Sequence, residues 1–188
     1  MADQQQGNDL IEVIISDHRT VEGVFSQLEQ GAGDPAERKG MVDHVITELV
    51  RHSVAEEQYM YPAARKALPD GDRIADHEIE EHAEAERVMK QLSGLDAQDP
   101  RFEELLSTLM SDIRHHVEDE ENDLLPRLRE ACSRQELEEL GQKVLQAKKS
   151  APTRPHPSAP DTPPANRILD PGAGLVDRMR DALSGRSG

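Results

Sequence analysis

The sequence is poor in aromatic residues and in cysteine. Its 188 residues include no Trp, two Phe, two Tyr and one Cys. With so few rings, a hydrophobic core must be built from aliphatic side chains. The single Cys132 excludes a disulfide framework within the chain and fits a reducing compartment.

Positive charge is also scarce, because 22 Lys and Arg face 38 Asp and Glu and leave a formal net charge of −16. Nucleic acids and anionic membranes bind basic surfaces, so this balance argues against both as partners. The N-terminus MADQQQGNDL lacks the basic and apolar regions of a signal peptide, and no apolar run approaches the length of a membrane span. We therefore expect a soluble, cytoplasmic protein.

Apolar residues recur at helical spacing, and no segment shows the sustained alternation of a strand. Four long helices and a short fifth are predicted, over about 9–30, 35–68, 72–93, 100–132 and 134–149. Asp34-Pro35 and Asp99-Pro100 supply cap-and-proline starts, and Ser133 with Glu136 has capping-box spacing. Short connections make neighbouring helices antiparallel, so the pattern predicts an all-α, up-down-up-down four-helix bundle.

The composition changes after residue 150. We predict a helical domain over 1–150 and a Pro-rich, mobile linker and tail over 151–188. The stretch APTRPHPSAPDTPP holds six prolines and cannot form a helix. Beyond it, apolar residues at one-face spacing over 171–184 leave a short amphipathic helix as an alternative to a weakly ordered tail.

The chain repeats itself at an offset of 64 residues. RHSVAEEQYMYP and HHVEDEENDLLP share H-x-x-x-E-E and a proline ten residues after the histidine. The offset relates His52 to His116, Glu56 to Glu120 and Pro62 to Pro126, and it also relates His18 to His82. Two copies of a helical hairpin are therefore expected around an approximate two-fold axis, with matching kinks at the two prolines.

Four histidines and two glutamates are predicted to face the bundle core. His18, His52 and His116 lie on apolar faces, His82 lies on a weaker one, and Glu56 and Glu120 follow one turn after their histidines. Buried carboxylates are costly unless they are paired or bind metal. Imidazoles and carboxylates without a thiolate suit Fe, Mn or Zn. Two symmetry-related carboxylates would bridge two ions, each with two histidines.

One histidine in the first helix, H-x-x-x-E in the second, EEH in the third and H-x-x-x-E-E in the fourth resemble the hemerythrin-like (HHE cation-binding) family. The resemblance covers about residues 8–132. It implies a non-haem di-iron centre bridged by Glu56 and Glu120 together with an oxygen species, with manganese or zinc as the less favoured metals. From the repeat, we assign His18 and His52 to one iron and His82 and His116 to the other.

The sequence departs from the oxygen-carrying members of that family, which place two histidines four residues apart on the third helix. Here Glu78 stands four residues before His82, and the nearby His77 is five before it. The departure predicts coordination positions open to water, peroxide or nitric oxide, with Tyr59, Glu78 or His77 as groups that would complete the coordination. Tyr59 is predicted on the ligand face, as a ligand or hydrogen-bond donor or as a core residue.

Apart from Glu78 and His77, the surrounding acidic residues and the other histidines are not predicted to bind metal. Glu22 and Glu86 follow His18 and His82 by four residues, so they are weighed as hydrogen-bond acceptors against surface residues. Glu57 and Glu121 are predicted to face solvent. Three further histidines are predicted to lie on the surface: His44, His77 and His115.

Three functions are compatible with the sequence. The first is a di-iron oxidoreductase acting on peroxide, dioxygen or nitric oxide in redox defence. The second is a module that binds or senses oxygen, nitric oxide or iron without turnover. The third is a scaffold that acts through the Pro-rich tail. The sequence favours the first two without separating them.

Overall fold

The computed structural model describes residues 9–154, which contain helices and no strand. Seven α-helices follow one another as α1 (Leu10–Glu29), α2 (Pro35–Ala55), α3 (Tyr61–Ala67), α4 (Gly71–Ser93), α5 (Arg101–Asp119), α6 (Leu125–Ala131) and α7 (Arg134–Ser150). Two π-helical segments, π1 (Glu56–Met60) and π2 (Glu120–Leu124), join α2 to α3 and α5 to α6. The predicted helix over 171–184 lies outside the described residues.

The helices begin largely where the sequence places their caps. Asp34 with Glu37 and Ser133 with Glu136 form complete capping boxes, as does Asp9 at the start of α1. Each box satisfies backbone N–H groups that the first helical turn leaves without partners. At α5 the cap position is Pro100, and the Asp99 carboxylate still accepts a hydrogen bond from the Arg101 N–H at 2.9 Å.

The architecture is the predicted bundle of two hairpins. The first hairpin consists of α1 packed against α2, which continues through π1 into α3, and the second consists of α4 packed against α5, which continues through π2 into α6. The fifth helix, α7, packs on α1 and α2 and so covers only the first hairpin extensively. The two hairpins share one fold, but their outer faces differ in exposure.

The kinks predicted at Pro62 and Pro126 take the form of π-helical turns. The Tyr61 N–H donates to the Glu56 carbonyl, five residues earlier, and the Leu125 N–H donates to the Glu120 carbonyl in the same way. Each proline follows directly and lacks the N–H that an uninterrupted α-helix would use. The wider turn shifts the register of everything after it by one residue.

The core consists of two apolar clusters that are separated along the bundle by a polar layer. One cluster contains Val21, Leu49, Ala85 and Ile113, and the other contains Ile14, Ala55, Ala75 and Leu124. Each of the four long helical segments (α1, α2 with π1 and α3, α4, and α5 with π2 and α6) carries one histidine of the polar layer. Along the chain, that histidine lies between a residue of one apolar cluster and a residue of the other. Thr47 donates from its hydroxyl to the Thr153 carbonyl at 3.0 Å, and Ala151 is buried, so the first residues after α7 pack against the first hairpin.

Residues 9–154 include no helix with both the length and the apolar character needed to cross a membrane.

Candidate metal centre

The polar layer contains the six residues that the sequence singles out. The four histidines are 4–6 % exposed and the two glutamates are 0 % exposed. One histidine comes from each of α1, α2, α4 and α5, and the glutamates are the first residues of π1 and π2. The structure thus brings together His18, His52, Glu56, His82, His116 and Glu120.

His18 and His52 form what we call the first half of the centre. Their ring centroids lie 5.0 Å apart. His18 Nε2 is 3.4 Å from Glu120 Oε2, and His52 Nε2 is 3.0 Å from Glu56 Oε1. Donor atoms of these four side chains all lie within 4.8 Å of one another, so they converge on a volume the size of a single ion.

His82 and His116 form the second half. Their Nε2 atoms lie 3.1 Å apart. His82 Nε2 is 3.4 Å from Glu56 Oε2, and His116 Nε2 is 3.8 Å from Glu120 Oε1. Each glutamate therefore directs one oxygen to the first half and the other oxygen to the second half. This is the arrangement that a carboxylate needs in order to bridge two cations.

Every histidine of the centre also contacts a carboxylate through its second nitrogen. His18 Nδ1 lies 2.8 Å from Glu121, His52 Nδ1 3.3 Å from Asp17, His82 Nδ1 3.2 Å from Glu57 and His116 Nδ1 2.9 Å from Glu81. An N–H donated from Nδ1 leaves Nε2 as the ligand atom, which is the tautomer that metal-binding histidines adopt next to carboxylates. The acceptors are themselves related by the repeat. Glu81 follows Asp17 by 64 residues, and Glu121 follows Glu57 by the same offset.

The solvent-facing prediction for Glu57 and Glu121 is therefore wrong. Both are partly buried hydrogen-bond acceptors, because each follows a buried glutamate at the start of a π turn and reaches the histidine of a neighbouring helix. Glu22 instead binds Arg114 at 2.8 Å. The missed signal was sequence adjacency: each acceptor is the chain neighbour of a residue in the centre.

In the first half, positively charged side chains bind the carboxylates that accept hydrogen bonds from the histidines. Arg19 donates two hydrogen bonds to the Glu121 carboxylate, at 2.9 and 2.5 Å. Lys148, from α7, donates to Asp17 at 2.5 Å. These contacts fix the carboxylates that orient His18 and His52. The repeat places Ala83 opposite Arg19, so the second half lacks the corresponding arginine.

A tyrosine enters the second half, although it is Tyr61 rather than the predicted Tyr59. The Tyr61 hydroxyl donates to Glu120 Oε1 at 3.0 Å and lies 3.1 Å from His82 Nε2. Tyr61 is 1 % exposed, whereas Tyr59 is partly buried against the apolar cluster around Ile14. The π turn causes the difference because it adds one residue to the helical turn. Tyr61, five residues after Glu56, therefore faces the centre, whereas an uninterrupted α-helix would place a residue earlier in the chain there. The repeat partner of Tyr61 is Leu125, which cannot donate.

Glu78 also belongs to the second half. It is 3 % exposed, and its Oε2 lies 2.9 Å from His116 Nδ1. Donor atoms of Glu78, His116 and Glu120 lie within 4.8 Å of one another. Its repeat partner is Ile14, so this carboxylate has no equivalent in the first half. His77, the other residue weighed at this position, is exposed, as are His44 and His115.

The charges of the centre are strongly coupled. Burial disfavours a charged His52, but Glu56 and Asp17 outweigh it and raise the pKa of His52 to about 10. Burial likewise opposes the charge of Glu56, yet the facing His52 and His82 hold its pKa well below the ordinary value. Burial and the charge of Glu120 raise the pKa of Tyr61 well above 10, so its phenol keeps its proton. Without a cation, protons on His52, His82 and His116, whose pKa values are all raised, compensate the carboxylates.

Hydrogen bonding does not satisfy this cluster. Among the described residues, five buried atoms of the six side chains make no hydrogen bond: His18 Nε2, His52 Nε2, Glu56 Oε1, Glu56 Oε2 and Glu120 Oε2. Buried polar atoms without partners cost free energy. All five are potential ligand atoms that point into the layer, so the side chains fit metal ions better than they fit one another.

A narrow cleft reaches the second half from the surface. It lies between α2 and α4 and has an internal space of about 30 Å³, enough for about two water-sized molecules. His82 and Glu57 line it, together with Ala83 and Glu86. The short side chain of Ala83 stands where the repeat has Arg19 in the first half.

Known proteins resemble this chain over most of its length. Residues 9–128 match the hemerythrin HHE cation binding domain. An uncharacterized hemerythrin-like protein of Schizosaccharomyces pombe is 28 % identical over 173 residues, covering 92 % of this chain and 85 % of that protein. A DNA nickase of Nostoc sp. is 27 % identical over 147 residues, which cover 78 % of this chain and 41 % of the nickase.

A solved structure shows the same fold. The crystal structure of a hemerythrin HHE cation binding domain-containing protein from Mycobacterium kansasii superimposes with a TM-score of 0.63 at 24 % identity, covering 76 % of this chain and 88 % of that chain. The matched residues include all four histidines and both glutamates of the centre. This chain belongs to the hemerythrin HHE cation-binding family.

Proposed function

We propose that this protein holds two iron ions in the buried centre and uses them to consume hydrogen peroxide, with dioxygen and nitric oxide as further ligands, in redox defence. The observation that carries the proposal is the Tyr61 hydroxyl. It lies within 3.1 Å of both Glu120 and His82 in the second half, and a protonated phenol there can donate to a small reacting molecule.

We assign the residues to two ions from the glutamate oxygens, because each glutamate directs one oxygen to the first half and the other oxygen to the second half. His18 and His52 would hold one ion with Glu56 Oε1 and Glu120 Oε2. His82 and His116 would hold the other with Glu56 Oε2 and Glu120 Oε1, and Glu78 is a further carboxylate for this ion. Imidazole and carboxylate donors without a thiolate suit iron, manganese and zinc, and we favour iron because of the family resemblance. When bound, iron supplies Lewis acidity and one-electron transfer.

The chain itself supplies orientation and a proton. The four Nδ1 contacts hold the imidazoles in place, as carboxylate partners do in other metal sites. Tyr61 keeps its proton on Oη because burial and the Glu120 charge raise its pKa. Apolar clusters on both sides of the layer exclude water and strengthen the hydrogen bond that the phenol donates.

The cleft beside Ala83 gives the substrate its route. Its space of about 30 Å³ admits a molecule of a few atoms. Glu57 and Glu86 line it, so uncharged molecules such as peroxide enter more readily than anions. The acidic chain, at −16, gives no support for a DNA substrate, so the nickase activity of one relative is not carried over. The lone Cys132 supports a cytoplasmic location.

A second candidate is a module that binds oxygen, nitric oxide or iron without turnover. The small cleft suits such a ligand as well as it suits peroxide. Glu78, however, stands where the oxygen-carrying relatives have a histidine. A third buried carboxylate adds negative charge, which favours oxidised iron over the reduced state that binds oxygen reversibly.

Oxygen release from peroxide tests the proposal. We expect the iron-loaded protein to release oxygen faster than the same amount of free iron. Tyr61→Phe should lower kcat by about a hundredfold, the size of a lost proton donor, while iron content stays unchanged. Tyr59→Phe is the matched control, because Tyr59 lies outside the centre, and it should retain the wild-type rate.

Two results would contradict the proposal. Turnover no faster than free iron contradicts the enzymatic proposal, and a stable oxygen or nitric oxide adduct in that case supports the binding module. Equal losses in the Tyr61 and Tyr59 variants would show that the phenol at the centre has no special part in the reaction.

A further inference from the structure

Four side chains converge on the outer surface of the second hairpin, outside the buried centre. His77 and Glu81 lie one turn apart on α4, and His115 and Asp119 lie one turn apart on α5. The two helices pack side by side, so the pairs face one another. The histidine side chains are 52 % and 66 % exposed.

Donor atoms of His77, Glu81 and Asp119 all lie within 4.8 Å of one another, and His115 approaches the same two carboxylates. His77 Nε2 lies 3.6 Å from Glu81 Oε1 and 3.8 Å from Asp119 Oδ2. His115 Nε2 lies 3.8 Å from each of the same two oxygens. All four distances exceed hydrogen-bond length. They are close to the separation of about 3.4 Å between ligand atoms in a tetrahedral zinc site with bonds of about 2.0–2.2 Å.

We propose that His77, Glu81, His115 and Asp119 form a second, surface metal site for a Zn²⁺-type divalent cation. Two imidazoles and two carboxylates are a donor set that such cations accept in tetrahedral geometry. The four measured distances need to shorten by a few tenths of an ångström, and the His115 ring must also turn toward the group that His77, Glu81 and Asp119 form. The exposed side chains can make that adjustment by small rotations.

Glu81 gives the surface site a fixed anchor. Its side chain is 16 % exposed, and its Oε2 accepts a hydrogen bond from His116 Nδ1 at 2.9 Å. The other oxygen, Oε1, therefore points outward, toward the two surface histidines. Metal affinity increases when a ligand is already held in place. The same carboxylate would connect the surface cation to a histidine of the buried centre.

The first hairpin provides an internal comparison for this carboxylate. The repeat partner of Glu81 is Asp17, whose Oδ2 contacts His52 and whose Oδ1 binds the ammonium group of Lys148 from α7. Because α7 packs on α1 and α2, no such lysine reaches Glu81 within residues 9–154. At the repeat positions of His77, His115 and Asp119 the first hairpin has Val13, Arg51 and Ala55. A metal cation would thus take the place that an ammonium group takes on Asp17.

Zinc binding to the protein, carrying the metal with which it is purified, tests this site. Equilibrium dialysis against Zn²⁺ should show one saturable site in addition to the resident metal. The His77→Ala, His115→Ala double variant should lower that affinity by at least about a hundredfold, since even indirect supports of a metal site are worth 10–100-fold. His44→Ala, which removes an exposed histidine elsewhere, is the matched control.

Both exposed histidines can be replaced without opening the core, so the variant should melt at the wild-type temperature and keep its resident metal. Zinc binding that is unchanged in the double variant, or reduced equally by His44→Ala, would overturn the proposal. So would the absence of saturable binding to the wild-type protein. The outcome does not depend on peroxide turnover, because the readout is zinc stoichiometry at a site outside the buried centre.

Discussion

The two halves of the centre share their ligands and differ in almost everything around them. The first half has Arg19 and Lys148 on its acceptor carboxylates and the apolar Ile14 and Leu125 at two repeat positions. At those two repeat positions the second half has Glu78 and Tyr61. The six residues of the centre are therefore a property of the repeat itself, whereas the phenol and the cleft that we propose for proton donation and access lie in the half where the repeat is broken.

The largest effect should come from changes that break both halves together. Glu56→Ala or Glu120→Ala removes an oxygen from each half, and either variant should lose the metal of both halves. Metal analysis after gel filtration measures this loss. Glu22→Ala is the control, because Glu22 binds Arg114 and contacts no histidine of the centre. Retention of one full ion in either variant would show that the glutamate does not bridge.

The metal-free protein should lose stability as the solution becomes alkaline. The pKa of His52 is about 10 in the folded chain against an ordinary value of 6.5. Its contribution is thus fully present below pH 6.5 and is lost as pH rises toward 10, and it amounts to a few kcal/mol at most. Urea unfolding between pH 6 and 10 measures the decline, which should be smaller in His52→Gln. A free energy of unfolding that rises over this range would contradict the charge assignment.

The acceptor carboxylates should act on one half at a time. Glu121→Gln weakens the support of His18, and Glu57→Gln weakens the support of His82, so each should lower metal affinity by about 10–100-fold in its own half. Mild dialysis against a chelator should remove one ion from each variant and leave the other ion bound. Simultaneous loss of both ions would mean that the halves do not behave separately.

The smallest effect should come from the cleft. Ala83→Arg introduces the residue that the first half has at position 19, and it should slow the binding of nitric oxide, an uncharged ligand, to the loaded protein by about tenfold because the side chain must move first. Stopped-flow absorbance measures the rate, and metal content should not change. Ala83→Ser, which leaves the cleft open, should bind nitric oxide at the wild-type rate. Equal rates in all three proteins would place the access route elsewhere.

The sequence predicts the fold and the convergence of the six central residues in one core layer, because both depend on simple α-helical spacing; their role as metal ligands stays a prediction. The bundle, the fifth helix, the N-cap at Asp34 and the capping box at Ser133 are confirmed. Errors begin at the prolines, where the π turns shift the register. Tyr61 then takes the position predicted for Tyr59, and Glu57 and Glu121 become acceptors instead of solvent-facing residues. Lys148 could not be foreseen, because no repeat or spacing relates α7 to Asp17.

Mössbauer spectroscopy of the protein loaded with isotopically enriched iron tests the central claim most directly. Two bridged ions in unlike halves predict two quadrupole doublets of equal area, with the magnetic coupling of a bridged pair. Tyr61 and Glu78 make the second environment distinct, so the doublets should differ. A single magnetically isolated iron per chain would contradict the bridging role of Glu56 and Glu120. One doublet from two equivalent ions would contradict the difference between the halves.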